Sequence, residues 1–114
     1  MLLGKISFGV FLPFYAYEDK EKSGKASYDV IRDIVLECEQ LGYDSVNLED
    51  HLMFREKPIL ECWTTLSALS AVTTRIRLGT TVLCTSFRNP ALLAKMAATL
   101  DVMSNGAPSD AGHC

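Results

Sequence analysis

Three strand-like segments alternate with three helix-like segments along the chain, and this order limits the folds that the chain can adopt. The strand-like segments are rich in β-branched and aromatic residues and comprise residues 5–12, 45–49 and 75–84. The helix-like segments carry apolar residues at helical spacing and comprise residues 27–41, 60–73 and 90–103. A β-α-β-α-β-α order predicts a parallel sheet with right-handed crossovers, which is either a doubly wound sheet or the start of a (β/α)₈ barrel.

Several residues with strong positional preferences mark the ends of these segments. Ser27 is a candidate N-cap for the first helix, and Gly42 can close that helix in a left-handed conformation. Pro90 suits the first turn of the third helix. Gly79 interrupts the third strand, which is typical of a bulge or of a close approach between backbones. The polar residues 15–26 are predicted to form a loop.

Composition narrows the class of protein. The chain has 114 residues, 48% of them hydrophobic, and a formal net charge of -3, which is ordinary for a globular protein. Mild acidity with scattered basic residues argues against a nucleic-acid surface. No apolar stretch reaches the roughly 18 residues that span a membrane, and no signal-peptide pattern opens the chain. The widely spaced Cys38, Cys62, Cys84 and Cys114 predict neither a zinc site nor a disulfide framework, so a cytoplasmic location is expected.

Polar residues that follow the second strand are the first functional candidates, because ligands bind at the carboxyl ends of parallel strands. Asp50 and His51 lie there. A histidine can move a proton near neutral pH, and an adjoining carboxylate can orient it. The alternative is that His51 caps the second helix or bonds a loop carbonyl. A metal site formed by Asp50, His51 and Glu61 is a weaker interpretation, since no second histidine is nearby.

The end of the third strand supplies the second group of candidates. Thr80, Thr81 and Cys84 offer small side chains to a ligand, or they belong to an irregular strand end whose hydroxyls bond the backbone. Arg88 can pair with a phosphate or carboxylate of a ligand, although a single arginine before a helix more often forms a structural ion pair. Trp63 is expected to lie in the core.

Three blocks of sequence resemble the N-terminal part of the bacterial luciferase-like superfamily, which comprises flavin-dependent monooxygenases and deazaflavin (coenzyme F420)-dependent oxidoreductases. The blocks are "LGYDSVNLEDHL", "LECWTTLSALSAVTTRIRLGTTV" and "RNPALLAKMAATLDVMSNG", and the match covers nearly all of residues 6–106. The resemblance implies an α/β fold that consists of the N-terminal βα units of a (β/α)₈ TIM barrel, cut short after the third helix. Residues 1–106 would form this partial barrel domain and residues 107–114 a divergent polar tail.

The resemblance also implies roles for individual residues. Asp50 and His51 match an Asp-His pair that faces the flavin or deazaflavin ring, and in some members the histidine donates or accepts a proton beside the reacting ring carbon. Thr80, Thr81 and Val82 match a bulge against the back of the ring, where several deazaflavin members carry a non-proline cis peptide, here corresponding to Thr81-Val82. The implied catalytic residue is His51, and the implied cofactor-binding residues are Asp50, Thr80, Thr81, Val82 and Cys84.

By this resemblance the chain is expected to be part of an oxidoreductase that uses F420 or FMN and acts on a small organic substrate. The bulge sequence "GTTVLCTSFRNP" favours F420. After Asn105-Gly106 the family continues with an arginine, an apolar fourth strand and a glycine-rich turn, whereas this chain has the polar "APSDAGHC". The alternative is therefore a truncated, inactive remnant that at most binds flavin or self-associates through an unpaired sheet edge. A metal-dependent hydrolase that uses Asp50 and His51 is a third, weaker alternative.

Overall fold

The computed structural model describes residues 4–12, 27–55, 57 and 59–104. They form a three-stranded parallel sheet in the order β1 (Gly9–Leu12), β2 (Ser45–Leu48) and β3 (Arg77–Thr80). The helices are α1 (Tyr28–Gln40), α2 (Cys62–Ser70) and α3 (Pro90–Met103), and a short 3₁₀ turn (Thr85–Phe87) precedes α3. The predicted alternation and the parallel sheet are confirmed.

The hydrophobic core lies on one side of the sheet. Leu48 of β2 is opposite Leu12 of β1 and Thr80 of β3, and side chains at paired positions share a face. This face is buried in one cluster with apolar side chains of α1 and α2, such as Val35 and Leu66. Phe11 of β1 points to the opposite face of the sheet, and about half of it is exposed. The carboxyl ends of all three strands therefore meet at a single edge of a sheet that has helices packed against one face.

Helix α1 follows its predicted boundaries closely. Its buried residues Ile31, Val35 and Cys38 recur at helical spacing. Gly42 follows the C-cap residue of the helix and has a φ of 88°, as predicted. The N–H groups of Gly42 and Tyr43 donate to the carbonyls of Glu39 and Cys38, respectively. This is the Schellman arrangement. Ser27 occupies the N-cap position, but its side chain makes no capping hydrogen bond among the described residues.

The second helix is shorter than the predicted 60–73. It begins at Cys62 because the carboxylate of Glu61 caps it, accepting hydrogen bonds from the backbone N–H groups of Trp63 (3.1 Å) and Thr64 (2.7 Å). Helix α3 begins at Pro90, as predicted, and Asn89 caps it through a 2.9 Å bond from the N–H of Ala91. Side-chain caps thus fix where α2 and α3 begin.

The strands are also shorter than predicted. The prediction placed the third strand at 75–84, but its paired residues end at Thr80, and a cis peptide bond between Thr81 and Val82 follows. This is the non-proline cis peptide that the resemblance implied. The first strand covers Gly9–Leu12 of the predicted 5–12. The predicted loop at 15–26, the boundary at 106 and the polar tail lie outside the described residues.

Two further sequence expectations concern cysteines and membrane spans. Cys38, Cys62 and Cys84 are free thiols, and Cys114 lies outside the described residues. Within the described ranges, no helix has the length and the apolar character that crossing a membrane requires.

The carboxylate of Glu39, at the end of α1, anchors the start of β3. Its Oε1 atom accepts three backbone hydrogen bonds, from Thr74 (2.9 Å), Arg75 (2.5 Å) and Ile76 (2.9 Å). Burial alone would raise the pKa of Glu39, but these hydrogen bonds outweigh it and hold the pKa below its usual value. The anchor lies at the amino end of β3, opposite the edge where ligands are expected.

Candidate active site

A pocket of about 360 Å³ lies at the carboxyl ends of β2 and β3. It is lined by six described residues: Asp50, His51, Val82, Leu83, Cys84 and Phe87. Four of them, Asp50, His51, Val82 and Cys84, are among the six site residues that the sequence predicted. The structure therefore brings most of the predicted site together, although the residues come from two separate loops.

The other two predicted residues do not line the pocket. Thr80 is 1% exposed and lies opposite Leu48 on the helix-facing side of the sheet. Its hydroxyl oxygen has no hydrogen-bond partner among the described residues. Thr81 is exposed, and its N–H donates to the carbonyl of Leu48 at 2.8 Å. Both threonines lie directly before the turn that carries Val82 towards the pocket.

Asp50 is 3% exposed, and both oxygens of its carboxylate are engaged by the protein. Oδ2 and Oδ1 accept hydrogen bonds from Nη1 and Nη2 of Arg88 at 2.5 and 2.7 Å. Oδ2 also accepts the backbone N–H of Cys84 at 3.0 Å. This bidentate, charge-assisted geometry is the strong form of the interaction. Asp50 therefore ties the end of β2 to the loop that follows β3.

Arg88 extends this network to the start of α2. Its Nη2 atom donates to Oε1 of Glu61 at 2.8 Å, and its guanidinium carbon lies 6.0 Å from the centre of the Trp63 ring. Hydrogen bonds to Asp50 and Glu61 raise the pKa of Arg88 despite its burial. Burial alone would raise the pKa of Glu61, but bonds from Thr64, Arg88 and Trp63 bring it below its usual value. Of the two alternatives predicted for Arg88, the structure shows the structural ion pair.

The network also affects the buried cysteine at the start of α2. Burial raises the pKa of the Cys62 thiol to about 12, and the nearby charges of Asp50 and Glu61 add to this effect. A thiol with such a pKa stays protonated near neutral pH. Cys62 is therefore an inert core residue, unlike Cys84, which lines the pocket.

The imidazole of His51 lies beside the carboxylate of Glu49. Nε2 of His51 lies 3.8 Å from Oε2 of Glu49, and the imidazole is about half exposed. Oε2 of Glu49 is buried and has no hydrogen-bond partner among the described residues. The sequence pattern predicted the adjoining Asp50 as the carboxylate beside His51, and the structure places Glu49 there. The signal was present, since Glu49 is two residues before His51, but two adjacent carboxylates cannot be told apart from sequence alone.

The remaining walls of the pocket are apolar. Val82 is 57% exposed and Phe87 is 44% exposed, although both are hydrophobic. Cys84 is partly buried, and its Sγ atom lies 3.2 Å from the hydroxyl of Ser86. An imidazole beside exposed apolar side chains suits a flat aromatic ligand with hydrogen-bonding atoms at its edge.

Two other potential sites lack the side chains that metal binding or proton transfer requires. The described residues contain no group of three or more His, Cys, Asp and Glu side chains that could hold a metal ion, so Asp50, His51 and Glu61 do not form a metal centre. A cavity of about 280 Å³ between α2 and α3 is lined by seven residues, none of them ionisable: Trp63, Leu83, Thr85, Pro90, Leu93, Ala94 and Ala97. The pocket beside His51 is the better candidate active site.

Comparison with known proteins agrees with this geometry. A family described as luciferase-like monooxygenase matches residues 6–106. The pyrimidine monooxygenase RutA of Rhizobium rhizogenes is 35% identical over 111 residues, covering 89% of this chain and 30% of the relative. The F420-dependent glucose-6-phosphate dehydrogenase of Amycolatopsis mediterranei is 37% identical over 84 residues, covering 66% of this chain and 25% of the relative. The chain thus spans under a third of the length of these curated relatives.

Solved structures show the same fold. The monooxygenase RslO1 from Streptomyces bottropensis superposes with a TM-score of 0.75 at 25% identity, covering 90% of this chain and 31% of that one. Other structural neighbours were solved with FMN or a modified FMN. The α/β architecture described above is therefore that of the first units of a larger barrel.

Proposed function

The chain belongs to the luciferase-like monooxygenase family, and we propose that it supplies the first three βα units of a flavin- or F420-dependent oxidoreductase. The observation that carries this proposal is the pocket that gathers His51, Val82 and Cys84 at the carboxyl ends of β2 and β3. The proposed substrate is a small organic molecule. The free thiols of Cys38, Cys62 and Cys84 support a cytoplasmic location.

The residues of the pocket fit the ring of FMN or F420. The exposed side chains of Val82 and Phe87 leave an apolar surface that a flat ring would cover. When bound, either cofactor supplies the redox chemistry, and the protein holds and orients it. Val82 and Cys84 would contact the ring, whereas Asp50, Thr80 and Thr81 would support the turn that presents them.

His51 is the proposed catalytic residue. Its imidazole is accessible at the pocket and can hold or release a proton at Nε2. Oε2 of Glu49 lies 3.8 Å from that atom, so this carboxylate is placed to orient the imidazole. The proposed division of work is that Glu49 assists His51, while Asp50 fixes the loop on the other side of the pocket.

The test is a titration of the chain with FMN and with F420, in which the fluorescence of the cofactor reports its binding affinity. Val82→Asp places a charge in the proposed ring site, and Val102→Asp is the matched control, since Val102 is 76% exposed on α3 and does not line the pocket. We expect Val82→Asp to weaken binding by roughly tenfold or more, the loss that follows when apolar contacts meet an unpaired charge. Equal affinity of the two variants, or no binding by the wild-type chain, would contradict the proposal.

A second proposal is that the chain self-associates. Ile6, Phe8 and Phe11, in and before β1, are exposed hydrophobic side chains, and β1 and β3 are both edge strands of the described sheet. Sedimentation velocity over a concentration series would test this proposal. A concentration-dependent increase in sedimentation coefficient is expected, and a single monomeric species at all concentrations would exclude it.

A further inference from the structure

We infer that Arg88 is a positioning residue of the pocket, acting through Asp50 to hold the loop that carries Val82 and Cys84. Arg88 is not among the described residues that line the pocket. Its largely buried guanidinium instead joins Asp50, at the end of β2, to Glu61, at the start of α2. The inference rests on the proposed function for the identity of the ligand, but not for the geometry of the loop.

The guanidinium is well suited to this task, and an ammonium is not. Nη1 and Nη2 of Arg88 each donate to one oxygen of Asp50, and Nη2 donates in addition to Glu61. A planar group with five N–H donors can satisfy both carboxylates at once. The ammonium of a lysine is a single point charge and cannot reproduce the bidentate contact.

The loop depends on Arg88 through one shared atom. Oδ2 of Asp50 accepts both Nη1 of Arg88 and the backbone N–H of Cys84. When Arg88 is replaced, the hydrogen bond from Cys84 is the one contact that the described residues leave to the Asp50 carboxylate, and a single bond does not fix the orientation of both oxygens. Val82 and Leu83, which also line the pocket, directly precede Cys84 and would lose the same anchor. Loss of Arg88 is therefore expected to loosen one wall of the pocket.

A merely structural role would have a different signature. Removal of a buried ion pair that only stabilised the fold would expose every buried site together through global unfolding. The chain contains its own reporters for this distinction: Cys38 and Cys62 are buried in the core, whereas Cys84 lies in the loop. Local loosening accelerates reaction at Cys84 alone, and global unfolding accelerates reaction at all three.

The experiment measures the alkylation rate of each cysteine with iodoacetamide, resolved by peptide mass spectrometry, without cofactor. The variants are Arg88→Lys and Arg88→Gln, and the control is Arg32→Gln, because Arg32 pairs with the exposed side chains of Asp29 and Asp33 on α1. In both Arg88 variants we expect Cys84 to react roughly tenfold faster, because the charge-assisted bond between Asp50 and the backbone N–H of Cys84 is lost. The rates at Cys38 and Cys62 should stay unchanged.

Three results would overturn the inference: an unchanged rate at Cys84, an equal rise at all three cysteines, or full protection restored by Arg88→Lys. If the Arg88 variants do not fold, Glu61→Gln removes the charge of one partner and leaves the Asp50 contact, and a smaller rise confined to Cys84 is expected. A wild-type chain that binds neither FMN nor F420 would refute the proposed function, and the alkylation rates, read without cofactor, still decide the role of Arg88.

Discussion

Glu39→Gln gives the sharpest test of how the chain holds its sheet together. The substitution keeps the size of the side chain and one carbonyl oxygen but removes the charge that attracts three backbone N–H groups at the start of β3. Hydrogen bonds to charged groups contribute about 1.5–3 kcal/mol, against about 0.5–1.5 kcal/mol for neutral ones. Each of the three bonds would therefore lose about 1 kcal/mol, so that the substitution would lower the free energy of unfolding by about 3 kcal/mol. Because Thr74 and Arg75 are exposed, solvent reduces the expected loss to about 1–3 kcal/mol.

The pH dependence of this loss follows from the pKa of Glu39. Because its pKa is lower in the folded chain than its usual 4.5, its contribution to stability is complete above that value and is lost as the pH falls through the folded pKa. Urea unfolding, followed by the fluorescence of Trp63, measures the free energy of unfolding at pH 7 and at successively lower pH. The difference between wild type and Glu39→Gln should be about 1–3 kcal/mol at pH 7 and shrink towards zero in acid.

Glu37→Gln is the matched control, since Glu37 is exposed on the same helix and should change stability little. Equal stability of wild type and Glu39→Gln at pH 7 would refute the reasoning. A difference that persists unchanged in acid would refute it as well.

Two further substitutions test the core and the proposed chemistry. Leu66→Ala should lower the free energy of unfolding by about 2–5 kcal/mol, because Leu66 lies on α2 with 1% of its surface exposed and belongs to the core cluster. Leu41→Ala, at a position that is 69% exposed, should change stability little, and similar losses for the two variants in urea unfolding would contradict the described core. His51→Ala, made at the matching histidine of a full-length member of the family, should cut turnover by roughly 10²–10⁴-fold and leave cofactor affinity nearly unchanged. Unchanged turnover in steady-state assays would remove His51 from the chemistry.

Local sequence signals predicted the elements whose ends are chemically marked. The spacing of Ile31, Val35 and Cys38 together with Gly42 identified α1, and Pro90 identified the start of α3. The start of α2 was wrong by two residues because its cap is Glu61, a residue type that is not among the strongly preferred caps. The end of β3 was also wrong because pairing stops at Thr80, before the cis peptide, while the apolar pattern continues to Cys84.

The site was predicted only in part because its contacts join distant segments. Asp50 and Arg88 are 38 residues apart, and no local pattern indicates that they pair. The resemblance implies that Asp50 binds the cofactor, which stays a prediction, and the structure adds that its carboxylate accepts hydrogen bonds from Arg88 and Cys84. Sequence resemblance pointed to four of the residues that line the pocket, and the packing of the two loops decides which side chains line it and which support it.

The central claim is that the pocket beside His51 receives the ring of FMN or F420. It is tested most directly by titrating the isotope-labelled chain with lumiflavin, the flavin ring without its phosphate tail, and mapping the shifts of its amide resonances by NMR. We expect saturable shifts centred on His51, Val82 and Cys84, with no comparable change along the cavity between α2 and α3. Shifts confined to that cavity, or no shifts up to the solubility limit of lumiflavin, would contradict this claim.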